Sequence, residues 1–328
     1  MSTSERASTS ATATGSAPVP TGPVVGVDVG GTFTKAVLTD ATGTVLAEAH
    51  RPTPRPGPGV AERVVELAGR LTEELGARGP APLAAAGLVV PGTVDERHGT
   101  AVHSENLGWR DVPFADLFAR RTGLPVAFGH DVRAGGLAES RLGAAAGVRD
   151  TVVFLPLGTG IAAALLLDGR PYAAGGAAGE IGHVRVASDE PCVCGLTGCL
   201  EAVASAAAVA RRYRRASGRP ADGAKEVAAL VAAGDPVAVA VWREAVDALA
   251  AAVCWLAAVL APHTVVIGGG LSSAGDLLLD PLNRRVTDGL TFHRRPVITR
   301  ALLGDRAGAL GAALLAAETA TTGRPTAV

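Results

Sequence analysis

Two segments far apart in this sequence share a pattern that narrows the choice of fold. Val24–Val29 is a β-branched run that stops at Gly30-Gly31 and resumes as Phe33–Leu38. Thr151–Pro156 and Ile161–Leu167 flank Leu157-Gly158-Thr159-Gly160 in the same manner. Two such runs joined by a glycine-rich loop read as a hairpin. Each hairpin is followed by helical segments. The chain therefore carries a weak internal repeat, visible in element order rather than in residue identity.

The remaining elements fit a mixed α/β chain. A third strand, Thr44–Ala49, follows the turn Asp40-Ala41-Thr42-Gly43, and a proline-rich stretch leads to an amphipathic helix over Val60–Leu75. Leu83–Val89 is the next strand, reached by a crossover. In the second half, Val126–Phe128 reads as a short strand and Asp131–Ala146 as a helix. Asp168-Gly169 is a tight turn, and Asp222–Ala233 and Pro236–Leu260 are long helices. Thr264–Ile267 is a buried strand ending in Gly268-Gly269-Gly270, and Arg306–Thr319 is a closing helix.

With 328 residues and 48% hydrophobic content, the chain can bury a large core and form two domains. Its formal net charge of -1 argues against a broad nucleic-acid or acidic-membrane surface, which needs excess Lys and Arg. Residues 1–23 are rich in Ser, Thr and Ala, lack an apolar h-region, and read as a disordered tail. The longest apolar run, Ala248–Ala261, is 14 residues, too short for a membrane span of about 20. No signal and no span imply a cytoplasmic protein.

The glycine loops suggest a nucleotide clamped between two lobes. Glycines let a backbone approach phosphate, and successive N–H groups form an anion nest. Around Gly30 and Gly31, Thr32 and Thr34 are candidate phosphate donors, Lys35 stands beside the loop, and Asp28 is placed to hold Mg²⁺ through water. Gly158, Thr159 and Gly160 repeat this chemistry, and Gly268, Gly269 and Gly270 suit close approach to adenine or ribose. An ordinary glycine-rich hairpin is the alternative for any one loop. No Rossmann fingerprint and no P-loop is present.

These motifs resemble the ROK family of sugar kinases (repressor, open reading frame, kinase), within the actin-like, hexokinase-type ATPase superfamily. The likeness runs from about Val24 to about Ala317. Its most specific part is Glu180-Ile181-Gly182-His183 followed by Cys192–Glu201, which reads Cys-x-Cys-Gly-x-x-Gly-Cys-x-Glu. The resemblance implies two ribonuclease-H-like lobes around a central cleft: a small lobe over residues 24–129, a large one over 130–305, and a closing helix and short tail over 306–328. It implies ATP with Mg²⁺, a hexose substrate, and a homodimer.

Three of the four cysteines fall within eight residues, which in a large cytosolic chain favours metal or redox chemistry over disulfides. His183, Cys192, Cys194 and Cys199 make a donor set suited to tetrahedral zinc with no open position, hence a structural ion. The family's matching residues bind zinc in this way. A buried or redox thiol group is the alternative. Cys254 reads as a core residue. A metal held by His183 would orient its ring, and the family uses residues matching Glu180, His183 and Glu201 to hold the sugar.

Asp131 aligns with the family's catalytic base, which accepts the alcohol proton in phosphoryl transfer. From its position alone it reads as a helix N-cap ahead of a base, and the helix dipole should hold its pKa low. The chain departs from the family pattern beside it. His130 and Arg133 replace two asparagines, the first of which contacts sugar hydroxyls. Imidazole donates and accepts through separate atoms, unlike an amide, so the sugar's 3- and 4-positions are read differently. Glucose then competes with an amino sugar, kanosamine or N-acetylglucosamine. His130 packed merely beside Arg133 is the alternative. Val90–Asp95 matches the family's Pro-Gly loop. Asn106 is a further sugar contact, and Trp109 reads as a packing residue.

The leading expectation is an ATP-dependent hexose 6-kinase. A sugar-responsive regulator would need a DNA-binding domain, and only 23 low-complexity residues precede the first strand. A catalytically silent sugar-binding protein is the third possibility.

Overall fold

A computed structural model describes residues 22–40 and 42–322. Apart from residues 22 and 23, the expected N-terminal tail lies outside the described residues, as do the last six positions of the expected C-terminal tail.

The β-branched run Val24–Val29 forms strand β1, with five of its six residues buried. An apolar strand of this kind belongs at a sheet centre, covered on both faces. It pairs antiparallel with β2 (Phe33–Thr39), which pairs antiparallel with β3 (Val45–Pro52). Helix α1 (Val60–Gly76) crosses over to β4 (Ala85–Val90), parallel to β1. A small sheet follows, made of β5 (Thr93–Asp95), β6 (Thr100–Ser104) and β7 (Trp109–Val112). Helix α2 (Phe114–Thr122) then leads to β8 (Val126–His130), parallel to β4. The sheet order is β3-β2-β1-β4-β8.

Helix α3 (Asp131–Arg141) joins this half to a second sheet of the same design. Strands β9 (Val152–Pro156), β10 (Ala164–Leu167) and β11 (Arg170–Pro171) are antiparallel neighbours. Helices α4 (Leu200–Ala204), α5 (Ala206–Ser217), α6 (Ala224–Ala232) and α7 (Pro236–Leu260) precede β12 (Thr264–Gly268). Helix α8 (Asp276–Gly289) leads to β13 (Val297–Arg300), and α9 (Ala307–Thr322) closes the chain. The order here is β11-β10-β9-β12-β13, with β12 parallel to both neighbours. Both sheets thus carry three antiparallel strands followed by two parallel ones, so the repeat expected from element order is a repeat of topology.

Helix α7 has the boundaries its sequence predicts. Asp235 caps it, accepting from the Val237 and Ala238 N–H groups, and Pro236 opens it. It is buried against α4, α5, α6 and α8 in the largest apolar core. Among the described residues no helix is long and apolar enough to cross a membrane.

The last helix returns to the first sheet. α9 packs on β1, β4 and α3. A Cβ on Gly26 of β1 or Gly87 of β4 would collide with the α9 backbone at Ala309 or Ala312, so only glycine permits this approach. α3 in turn touches β9 and β10 of the second sheet as well as α9. Its first residue therefore lies where the two sheets meet.

Some boundaries differ from expectation. The helix predicted to reach Ala146 ends at Arg141, because buried Glu139 accepts the Ala144 N–H and folds the chain back. The strand predicted from Ile161 begins at Ala164, leaving Ile161 in a single bridge to Leu157. The small sheet, α2, α4, α5, α8 and β13 went unread in the sequence.

Candidate active site

Asp131 is the first residue of α3, and its Oδ1 accepts the Val132 N–H at 2.7 Å. The N-cap position belongs to His130 instead. Burial, and next the charge of Asp28, push the Asp131 carboxyl up to about 7. This reverses the depressed pKa expected from the helix dipole: desolvation outweighs the dipole here. The side chain keeps 26% of its surface, so a ligand can still reach it. Asp28 is the penultimate residue of β1 and is pushed up to about 6 by burial, opposed by Lys35. Its Oδ1 is buried without a hydrogen-bond partner. Two carboxyls that resist ionising together, one with an orphaned oxygen, fit a site completed by a cation.

Beneath Asp131 lies an ion pair that sequence reasoning missed. Glu96 opens the turn after β5, and its Oε1 accepts both the His130 backbone N–H at 3.0 Å and Arg133 Nε–H at 2.9 Å. Nothing in the local sequence distinguishes Glu96 from a surface carboxylate. His130 Nδ1 is 3.4 Å from Asp131 Oδ1 but has no hydrogen-bond partner. Burial, and secondarily Arg133, lower the His130 pKa to about 3, so its ring is neutral. Arg133 does not reach out as an asparagine substitute; it anchors α3 to the small sheet.

The three glycine loops are placed as follows. Gly30 and Gly31 join β1 to β2, and Thr32 is exposed at the bend. Thr34 departs from the expected phosphate donor: it is fully buried, and its hydroxyl is bonded at 3.0 Å to Thr53 Oγ1, which itself donates to the Gly30 carbonyl. It braces the loop from behind. Lys35 Nζ is 3.1 Å from Asp305 Oδ2 and donates to the Asp305 carbonyl at 3.0 Å, tying β2 to the segment before α9.

Gly158, Thr159 and Gly160 follow β9, with Thr159 and Gly160 exposed. The third loop packs directly on this one: Leu157 N–H donates to the Gly268 carbonyl at 2.9 Å and Leu271 N–H to the Leu157 carbonyl at 3.1 Å. Gly268 is buried against the Phe154 ring, whereas Gly269 and Gly270 are exposed. A cavity of about 510 Å³ opens beside Gly270, lined by Leu271, Ser273, Lys225, Ala228 and Leu277. Lys225 and α6 were not tied to this loop by sequence.

His183, Cys192, Cys194 and Cys199 converge, with donor atoms within 4.8 Å of one another. Cys192 Sγ is 3.7 Å from His183 Nδ1, and Cys194 Sγ is 3.6 Å from Cys199 Sγ. The edge of a tetrahedron around zinc with bonds of about 2.3 Å is roughly 3.7 Å, so the donors are spaced for such an ion, and the sulfurs are too far apart for disulfides. Burial and the neighbouring sulfurs push the Cys199 thiol up to about 12, and a bound cation would supply the charge that ionises it.

The other expected sugar contacts are spread around this knuckle and the small sheet. Glu180 is exposed immediately before the short turn Ile181–His183. Glu201, in the first turn of α4, has its Oε2 on the Ile161 N–H at 2.8 Å. Asn106 is exposed in the turn between β6 and β7. Trp109 is 3% exposed and packs edge-on against Phe114, centroids 4.9 Å apart, as a core residue.

The sequence model of the ROK family matches residues 24–319. A Streptomyces coelicolor glucokinase is 34% identical over 319 residues, covering 90% of this chain and 98% of its own. Among solved structures, the ROK hexokinase of Thermus thermophilus superposes with a TM-score of 0.79 at 35% identity, over 90% of this chain and 98% of its own. A ROK family glucokinase from Streptomyces griseus, in complex with glucose and AMPPNP, gives 0.76 at 32%, over 90% of this chain and all of its own. With the family model spanning both sheets and the helix that ties them, the chain belongs to the ROK family.

Proposed function

We propose that this chain is an ATP-dependent hexose kinase that phosphorylates the 6-hydroxyl of glucose or a glucose-like sugar. The observation that carries this reading is Asp131, a carboxyl raised to about 7 at the start of the helix between two matching sheets and within reach of the charge on Asp28, two residues before the first glycine loop. A base whose pKa lies near the operating pH suits proton transfer from an alcohol.

In this reading Gly30, Gly31, Thr32 and Gly158–Gly160 receive the phosphates, and the cavity beside Gly270 receives the adenosine. Asp28 would help to hold Mg²⁺, which would supply positive charge to the transferring phosphoryl group. Asp131 accepts the 6-hydroxyl proton. Asn106, His130, Glu180, His183 and Glu201 hold the sugar. His183, Cys192, Cys194 and Cys199 would hold a zinc ion, which would orient the imidazole through Nδ1 and leave Nε2 to meet a hydroxyl.

The test is sugar-dependent ADP release over a panel of hexoses with Mg-ATP. Release with glucose supports the assignment; no release with any sugar, together with no nucleotide binding, overturns it. A second reading, an amino-sugar 6-kinase acting on kanosamine or N-acetylglucosamine, is favoured by His130. A neutral ring whose Nδ1 lacks a partner is a hydrogen-bonding group an amide does not match. The same panel decides it by the ratio of kcat/KM values.

A further inference from the structure

The expected role of Glu201 is contact with the sugar, yet its Oε2 is already bonded to the Ile161 N–H at 2.8 Å. Ile161 follows Gly160 directly, so this bond fixes the end of the second glycine loop. Gly160 itself lies against the carboxylate: a Cβ there would stand 2.5 Å from Oε2. Two further contacts hold the same loop. The Ala206 N–H donates to the Gly158 carbonyl at 2.9 Å, and Gly182 is pressed so closely on the Ile161 carbonyl that a Cβ would collide with it.

Two of the three contacts, from Gly182 and Glu201, flank the cysteine knuckle directly, and Ala206 opens α5 just after α4. Gly182 immediately precedes His183. Glu201 is two residues beyond Cys199, and the Leu200 N–H between them donates to the Val184 carbonyl at 2.9 Å. Cys199 and Arg185 form a backbone bridge. The knuckle thus sets where α4 starts, and α4 sets where Glu201 meets the loop.

We propose that Glu201 is a positioning residue for the second glycine loop, coupling the Cys/His knuckle to nucleotide affinity in addition to any contact with the sugar. The proposal rests on the reading that Gly158–Gly160 receive phosphates. It makes a prediction opposite in sign to charge alone. An anionic side chain near a phosphate loop repels the nucleotide, so a merely neighbouring carboxylate would tighten binding when removed. A carboxylate that holds the loop in shape loosens binding when removed.

The experiment is calorimetric titration of Mg-AMPPNP without sugar into the full chain, its Glu201→Ala and Glu201→Gln variants, with zinc content measured on each. Glu201→Ala should bind about ten- to a hundred-fold more weakly, the range for losing a hydrogen bond to a charged group, with zinc content unchanged. Glu201→Gln keeps an oxygen that can accept from Ile161, so its nucleotide affinity should stay within about three-fold of the parent. Should Glu201→Ala fail to fold, Gly160→Ala, which pushes the carboxylate away from the loop side, should show the same weakening. Unchanged or tighter binding by Glu201→Ala, or equal losses in Ala and Gln, overturns the proposal. No binding by the parent overturns the nucleotide reading itself.

Discussion

Arg133 and Glu96 form an ion pair with Nε to Oε1 at 2.9 Å and side chains 4% and 3% exposed. They lie on different sheets' connecting elements, α3 and the β5–β6 turn, and the same Glu96 oxygen holds the His130 N–H. Breaking a buried pair leaves one desolvated charge without a counter-charge, at a cost of about 3–5 kcal/mol. Arg133→Met should therefore lower unfolding free energy by an amount of that order, while the double variant Arg133→Met with Glu96→Gln should recover a large part of it. Urea denaturation of the four forms measures the coupling. Additive losses would show that the pair contributes no mutual stabilisation.

Asp131→Asn keeps the size and the Oδ1 acceptor for Val132 while removing the base. Sugar-dependent kcat should fall by about 10²–10⁴-fold, the usual worth of a positioned general base, with nucleotide affinity and metal content retained. Steady-state kinetics with coupled ADP detection, beside metal analysis, checks it. Turnover close to that of the parent would remove Asp131 from the role.

The same residue fixes a pH dependence. Asp131 and Asp28, at about 7 and about 6, both lie above the ordinary aspartate value of 3.8. Between those limits the folded ligand-free chain holds protons that the unfolded chain has released, so their contribution to stability falls as pH rises from about 4 to about 7. Asp131→Asn removes one of these groups, so its melting temperature relative to the parent should rise between pH 5 and pH 8. Activity runs the other way, because the base must be ionised: kcat/KM should drop below about pH 7 with an acid limb. Thermal melts and a pH–rate profile test both signs.

Much of this arrangement could be read before any coordinates. The two hairpins, α7 with its Asp235-Pro236 start, and the His183–Cys199 spacing are local patterns, and local patterns survive in one dimension. What stayed hidden depends on contacts across the chain. Thr34 looks like a phosphate donor until Thr53, just beyond the end of β3, claims its hydroxyl. Glu96 looks like a surface residue until β5 and β8 bring it under His130. The pKa of Asp131 could not be read from the helix it starts, because its burial and Asp28 come from elsewhere in the fold. Short elements such as α4 and β13 carry too few residues to show a period.

The knuckle offers a test that needs no substrate. Between Val184 and Cys199 the only cleavage site for trypsin is Arg185, and its backbone is bridged to Cys199. Cys199 is fully buried while Cys194 is exposed, so the loop is pinned at its inner end and open at its tip. A cation shared by the four donors would hold Arg185 in that bridge; without it, three thiols and an imidazole have no covalent link or counter-charge to keep them together. The rest of the second sheet has its own apolar core, so the chain should stay folded when the ion is removed. Chelation, or Cys199→Ser, should therefore leave helical circular dichroism nearly unchanged yet speed tryptic cleavage after Arg185 by tenfold or more, about the population shift of 1.4 kcal/mol. Added zinc should restore protection to the chelated parent but not to the serine variant. Equal cleavage rates with and without chelator, together with less than about one zinc per five chains by elemental analysis, would show that the donors hold no structural ion.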